Sequence, residues 1–125
     1  MSNKCKSLSP ISLYIHIPFC KKKCNFCDFN AYEGIDDMID DYEQAIIKEL
    51  NMWAPTLENN EVVSIFIGGG TPSRMPVTKL KNFINIINES TNLNKSAEIT
   101  AEINPDDIPD WDIKDLQDSG INRLS

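Results

Sequence analysis

The sequence predicts an α/β fold built on a parallel sheet, and three observations lead there. Hydrophobic spacing switches repeatedly between the dense runs of strands and the three-or-four-residue recurrence of helices. The segments run strand, helix, strand, helix, strand, short helix, strand, an order that calls for crossover connections. The residues suited to chemistry each follow a strand, and open parallel sheets bind their ligands beyond the carboxyl ends of their strands. Residues 1–10 read as a polar N-terminal tail and residues 11–125 as one domain.

The elements follow in order. Ile11 to Ile17 is short, rich in β-branched and aromatic residues, and closed by Pro18. From Asp36 to Trp53 the pattern is helical, with Ile39, Tyr42, Ile46, Leu50 and Trp53 on one stripe. Asp36 and Asp37 suit its N-terminal end, and Pro55 is expected to stop it. Glu61 to Ile67 is a second strand whose nearly continuous apolar run predicts burial on both faces. Val77 to Ser90 is helical, with Leu80, Phe83, Ile84 and Ile87 on its apolar face. Ala97 to Ile103 alternates as a third strand. A short helix around Asp110 to Asp118 ends at Gly120, and Ile121 to Ser125 opens a fourth strand. There is no fixed internal repeat, low-complexity tract or interdomain linker.

Composition excludes several classes. With 125 residues, 41% hydrophobic and 25% charged, the chain matches an ordinary globular domain. Its net charge of −7 argues against binding a nucleic-acid backbone, which needs clustered Lys and Arg. Lys21, Lys22 and Lys23 form the single basic run and read as a solvated loop face. No stretch approaches the ~20 apolar residues of a membrane span, and His16 and Pro18 interrupt any signal-peptide core. Four cysteines in an acidic chain without a leader suggest a reducing, cytoplasmic setting and metal chemistry rather than disulfides.

Three of those cysteines, Cys20, Cys24 and Cys27, share one loop after the first strand. Thiolates spaced this closely suit an iron–sulfur cluster, gripping three irons of a cubane and leaving the fourth open. The same three with His16 would also make a Cys₃His zinc site. Cys5, in the polar tail, reads as a free thiol. Gly68, Gly69 and Gly70 follow the second strand, where missing side chains permit positive φ and close approach of backbone to a ligand. By itself such a triplet is a tight strand-to-helix turn. Glu102 ends the third strand; its bland reading is an exposed charge or a cap for the turn at Pro105.

The stretch Ser12-Leu13-Tyr14-Ile15-His16-Ile17-Pro18-Phe19-Cys20, followed by Cys24-Asn25-Phe26-Cys27-Asp28-Phe29-Asn30, resembles the start of radical S-adenosylmethionine (SAM) enzymes. Ile67-Gly68-Gly69-Gly70-Thr71-Pro72-Ser73, Ala101-Glu102-Ile103-Asn104-Pro105 and Gly120-Ile121-Asn122-Arg123-Leu124-Ser125 agree in kind and order. The likeness runs from about Leu8 to the last residue. It points to the branch containing oxygen-independent coproporphyrinogen III oxidase and the heme chaperone HemW.

The resemblance implies the N-terminal part of a partial (βα)6 barrel, broken off near the fourth strand, with a C-terminal domain missing. It implies a 4Fe-4S cluster on Cys20, Cys24 and Cys27. SAM would be contacted by Gly69, Gly70, Thr71 and Glu102, with Tyr14 and Phe26 as further cofactor-contacting positions. His16 would stand near the cluster, although a hydrogen-bonded strand histidine is its plainer reading. One electron from the reduced cluster would break a carbon–sulfur bond of SAM, giving methionine and a 5′-deoxyadenosyl radical. Implied partners are SAM, heme or a porphyrinogen, and a flavodoxin- or ferredoxin-type electron donor. Two functions follow: a heme chaperone, or an enzyme converting coproporphyrinogen III to protoporphyrinogen IX. The enzyme branch carries a further cysteine two residues after the third ligand, where this chain has Phe29, so the resemblance favours the chaperone. A barrel cut at its fourth strand would leave an unpaired edge and uncovered apolar helix faces, so the piece is expected to fold poorly alone.

Overall fold

The computed structural model describes residues 8–20, 32–33, 38–106 and 111–125. Four strands, β1 (Ser9–Ile17), β4 (Asn60–Gly69), β5 (Asn92–Ala101) and β6 (Arg123–Leu124), form one sheet in the order β1-β4-β5-β6. All three pairings are parallel, as the alternating pattern requires. Two short strands, β2 (Phe19–Cys20) and β3 (Tyr32–Glu33), pair separately and in parallel. The helices are α1 (Ile39–Leu57), α2 (Val77–Ser90) and α3 (Ile113–Asp118).

Helix α2 spans the residues its spacing predicts. Its stripe of Leu80, Phe83, Ile84 and Ile87 is at most 4% exposed and packs in one cluster with Ile65, Ile67, Ile99 and Ala101 of the sheet. Burying each large apolar side chain is worth about 1.5–3 kcal/mol, so this contact is the centre of the fold. Asp112 accepts from the backbone N–H groups of Lys114 and Asp115 to start α3, and Gly120, at φ +96°, ends it in a left-handed conformation.

Five expectations need correction. Pro55 does not stop α1, which runs on to Leu57. Proline forfeits one N–H bond, but the Glu58 N–H bond to the Ala54 carbonyl at 3.1 Å closes the last turn and buried Leu57 rewards it. Trp53, placed on the α1 stripe by spacing, is 53% exposed. β4 is not buried on both faces: Val62, Ile65 and Ile67 turn into the core, while Phe66 is 36% exposed. β5 begins at Asn92, well before Ala97, and ends at Ala101. Its polar start is tied down by side chains, Asn92 donating to the Asn60 carbonyl and Asn94 to Glu61. β1 starts at Ser9, and Pro10 is tolerated there because β1 is an edge strand with one neighbour.

Charged residues also join the helices. Lys79 on α2 reaches Asp40 Oδ1 at 2.8 Å and Glu43 Oε1 at 2.7 Å on α1, and Asn82 donates to the other Glu43 oxygen. Glu43 is buried, and a buried carboxylate persists where it is paired in this way. Tyr42, one residue earlier, donates its hydroxyl to the His16 carbonyl.

Two outcomes are expected. Phe83→Ala should cost about 3–5 kcal/mol in urea unfolding, the range for deleting a buried aromatic ring. Hydrogen bonds to Asp40 and then Glu43 hold the Lys79 ammonium above 10.5, and burial and then the charge of Glu49 hold the Tyr42 phenol above 10.0. For groups raised on folding, the stabilisation is complete below the ordinary values and is lost as pH rises through the folded ones. Melting temperature should therefore fall as pH rises above about 10, less steeply in Lys79→Met; equal slopes would contradict the assignment.

Candidate functional site

The site is assembled where β1, β4 and β5 end. After Ile17 and buried Pro18, the chain enters β2, which pairs Phe19 with Tyr32 and Cys20 with Glu33. The two-residue ladder thus sets Tyr32 and Glu33 beside Phe19 and Cys20. The Phe19 ring is buried and meets Tyr42 edge to face, centroids 5.4 Å apart. With the Tyr42 hydroxyl on the His16 carbonyl, α1 holds the end of β1 from which the cysteine segment starts. Cys24, Cys27 and Phe26 lie outside the described residues, as do Lys21, Lys22 and Lys23.

The glycine turn is bound to the same place. Gly70 N–H donates to the Ile17 carbonyl and Thr71 N–H to the Phe19 carbonyl, both at 2.7 Å. A Cβ on Gly70 would lie 2.6 Å from the Phe19 carbonyl oxygen. Gly69 has φ +116°, and a Cβ there would lie 2.6 Å from His16 Nδ1. The missing side chains therefore make room first for the protein's own strand end. Beyond the turn, Pro72–Arg74 forms a single 3₁₀ turn. It is clamped from the far side: Trp111 donates to the Ser73 and Met75 carbonyls at 3.1 Å, and Asn104 N–H donates to Ser73 Oγ.

Glu102 closes the arrangement. Its backbone N–H bonds to the Ile67 carbonyl at 2.9 Å, and its Oε1 accepts from Gly69 N–H at 3.0 Å. It is thus neither a stray charge nor a cap for Pro105; the Asn104 side chain takes the Asp106 N–H instead. Gly70, Thr71, Glu102, Asn104 and Ser125 line an open groove of about 320 Å³. Tyr14 projects from β1, 56% exposed, and partial desolvation followed by the charge of Glu102 raises its phenol above 10.0. At neutral pH it is a protonated donor. His16 is half-buried against Gly69 and 6.1 Å from the Tyr14 ring.

The expected residues Tyr14, His16, Gly69, Gly70, Thr71 and Glu102 therefore share one sheet edge beside Cys20. Phe66 was not expected there. Its signal was present in the two-residue period of Ser64, Phe66 and Gly68, which puts its ring on the face of Tyr14. Among the described residues, no three metal-binding side chains converge.

The family model for the radical SAM superfamily matches residues 14–125. The heme chaperone HemW of Escherichia coli is 39% identical over 119 residues, covering 94% of this chain and 32% of that protein. HemW of Bacillus subtilis is 37% identical over 115 residues, covering 91% of this chain and 30% of that protein. The structure of E. coli coproporphyrinogen III oxidase (HemN), described as a radical SAM enzyme, superposes with a TM-score of 0.81 at 32% identity, covering 94% of this chain and 27% of that one. The chain thus spans about a third of the length of the curated relatives it matches.

The packing around Gly69 sets an expectation for its replacement. Gly69→Ala should lose at least about 1–3 kcal/mol in urea unfolding, the range for strained backbone, with further loss from the imidazole contact. Gly69 tolerating alanine without loss would refute the positive-φ geometry.

Proposed function

The chain belongs to the radical SAM superfamily, and from that premise we propose that Cys20, Cys24 and Cys27 hold a 4Fe-4S cluster with one iron left open. The adjoining edge of Tyr14, Gly69, Gly70, Thr71 and Glu102, together with Phe26, would take SAM. The observation that carries this reading is the pair of bonds from Gly70 and Thr71 to Ile17 and Phe19, which makes the glycine turn and the start of the cysteine segment one rigid unit. The donor set fits as well, since thiolates are the natural ligands of iron–sulfur clusters. When bound, the cluster supplies one electron for reductive cleavage of SAM. The chain's own residues bind and orient: Glu102 fixes the Gly69 amide, Tyr14 offers a phenolic donor, and α1 holds the loop base through Tyr42.

For the whole protein we propose a HemW-like chaperone that delivers heme to acceptor proteins. Supporting this are the relatives named HemW at 37–40% identity and Phe29 in place of a further cysteine. The second reading, an oxygen-independent coproporphyrinogen III oxidase, is favoured by the structural likeness to that enzyme. Either would draw on a flavodoxin- or ferredoxin-type donor. A cytoplasmic setting suits both; no described helix is long and apolar enough to cross a membrane.

The test is electron paramagnetic resonance of the chain reconstituted anaerobically with iron and sulfide and reduced with dithionite. A cluster signal that changes shape on adding SAM is the expected result. Alanine at Cys20, Cys24 or Cys27 should abolish it, whereas Cys5→Ala should leave it intact. Zinc bound in place of iron, or a signal indifferent to SAM, would sink the reading.

A further inference from the structure

The groove lined by Gly70, Thr71, Glu102, Asn104 and Ser125 has two main walls, the turn after β4 and the chain leaving β5. Two hydrogen bonds tie these walls together. Gly69 N–H donates to Glu102 Oε1 at one end, and Asn104 N–H donates to Ser73 Oγ at the other, both at 3.0 Å. In sequence, Thr71 lies between the tied residues of one wall and Ile103 between those of the other. The spacing of the walls is therefore set by where Glu102 and Ser73 are held.

Glu102 is held by the sheet, its N–H bonded to the Ile67 carbonyl. Ser73 has a less regular support. It is 5% exposed, in the single 3₁₀ turn Pro72–Arg74, and the carbonyls at a helix end look outside the helix for partners. The Trp111 indole N–H reaches two carbonyls there, those of Ser73 and Met75, each at 3.1 Å. Trp111 is itself 6% exposed and packs in the apolar cluster that holds Met75, Val77 and Phe83. The next residue, Asp112, caps α3. Core packing thus fixes the ring while its one donor aims at the turn; phenylalanine would fill the core without that donor.

We propose that Trp111 is a positioning residue for the ligand groove: by holding Ser73 it sets the spacing between Thr71 and Asn104, and with it the groove's affinity for its occupant. The role rests on the reading of this groove as part of a SAM site. A tryptophan that merely filled the core would change stability and leave affinity alone.

The experiment compares the 125-residue chain with Trp111→Phe and with a chain carrying benzothienylalanine in place of Trp111. The second keeps the bicyclic shape and replaces the N–H by sulfur, so it packs as the parent does should phenylalanine not fold. Each is reconstituted with iron and sulfide, reduced, and titrated with SAM while its electron paramagnetic resonance spectrum is recorded. The SAM concentration that half-converts the signal should rise about 5–30-fold, the factor for losing one or two hydrogen bonds, with cluster content per chain unchanged. In the iron-free chain the Asn104 amide should exchange faster by a similar factor relative to Ile67, which reports global opening. Half-conversion at the parent's SAM concentration would overturn the proposal, even with a lower urea midpoint. If the parent forms no cluster or ignores SAM, the cofactor reading fails and amide exchange decides. An Asn104 amide released when the indole N–H is lost sustains the positioning role, and one as protected as in the parent overturns it.

Discussion

The carboxyl edge of this sheet depends on two backbone hydrogen bonds, from Gly70 to the Ile17 carbonyl and from Thr71 to the Phe19 carbonyl. They join the turn after β4 to the segment after β1, next to Cys20 in β2. Each requires the two chains to approach closely. That constraint excludes a side chain at Gly70, whose Cβ would strike the Phe19 carbonyl, and drives Gly69 to positive φ. Once the turn is so placed, the Gly69 amide points at Glu102, and the third strand end is drawn into the same unit. Sequence-distant motifs become one site because backbone groups, which must be satisfied when buried, pair across strand ends.

Support arrives from both sides of that edge. Tyr42 on α1 packs against Phe19 and holds the His16 carbonyl, and Trp111 holds the turn after Thr71. Neither Tyr42 nor Trp111 belongs to a sequence motif of the candidate site. Their work is to keep the start of the cysteine segment and the glycine turn in register while the α1–α2 contact, with Lys79 paired to buried Glu43, fixes where α1 lies. A site built this way is held by the protein's own packing and hydrogen bonds.

Much of this was legible in the residues. α2 showed itself through Leu80, Phe83, Ile84 and Ile87, since a helix with one buried face has little choice of spacing. Glu102 and the glycines were legible because each follows a strand. Other features were hidden for identifiable reasons. Asn92 to Lys95 looks like a loop, and it becomes strand through side-chain bonds to Asn60 and Glu61 that only the tertiary fold provides. β2 and β3 are two residues each, too short for any period to show. Pro55 reads locally as a stop, and the burial of Leu57 that overrides it is set by the tertiary fold. Phe66 sits inside a nearly continuous apolar run, and burial of a face depends on what covers it, which periodicity does not report.

The glycine turn is locked to β1 and Glu102 by the protein's own hydrogen bonds. Amide hydrogen exchange followed residue by residue by nuclear magnetic resonance tests it directly. Gly69, Gly70 and Thr71 should exchange as slowly as Ile65 and Ile67 in the sheet, and Glu102→Ala should release Gly69 while Gly70 and Thr71 stay protected. Exchange of all three amides at the rate of an exposed loop would contradict it.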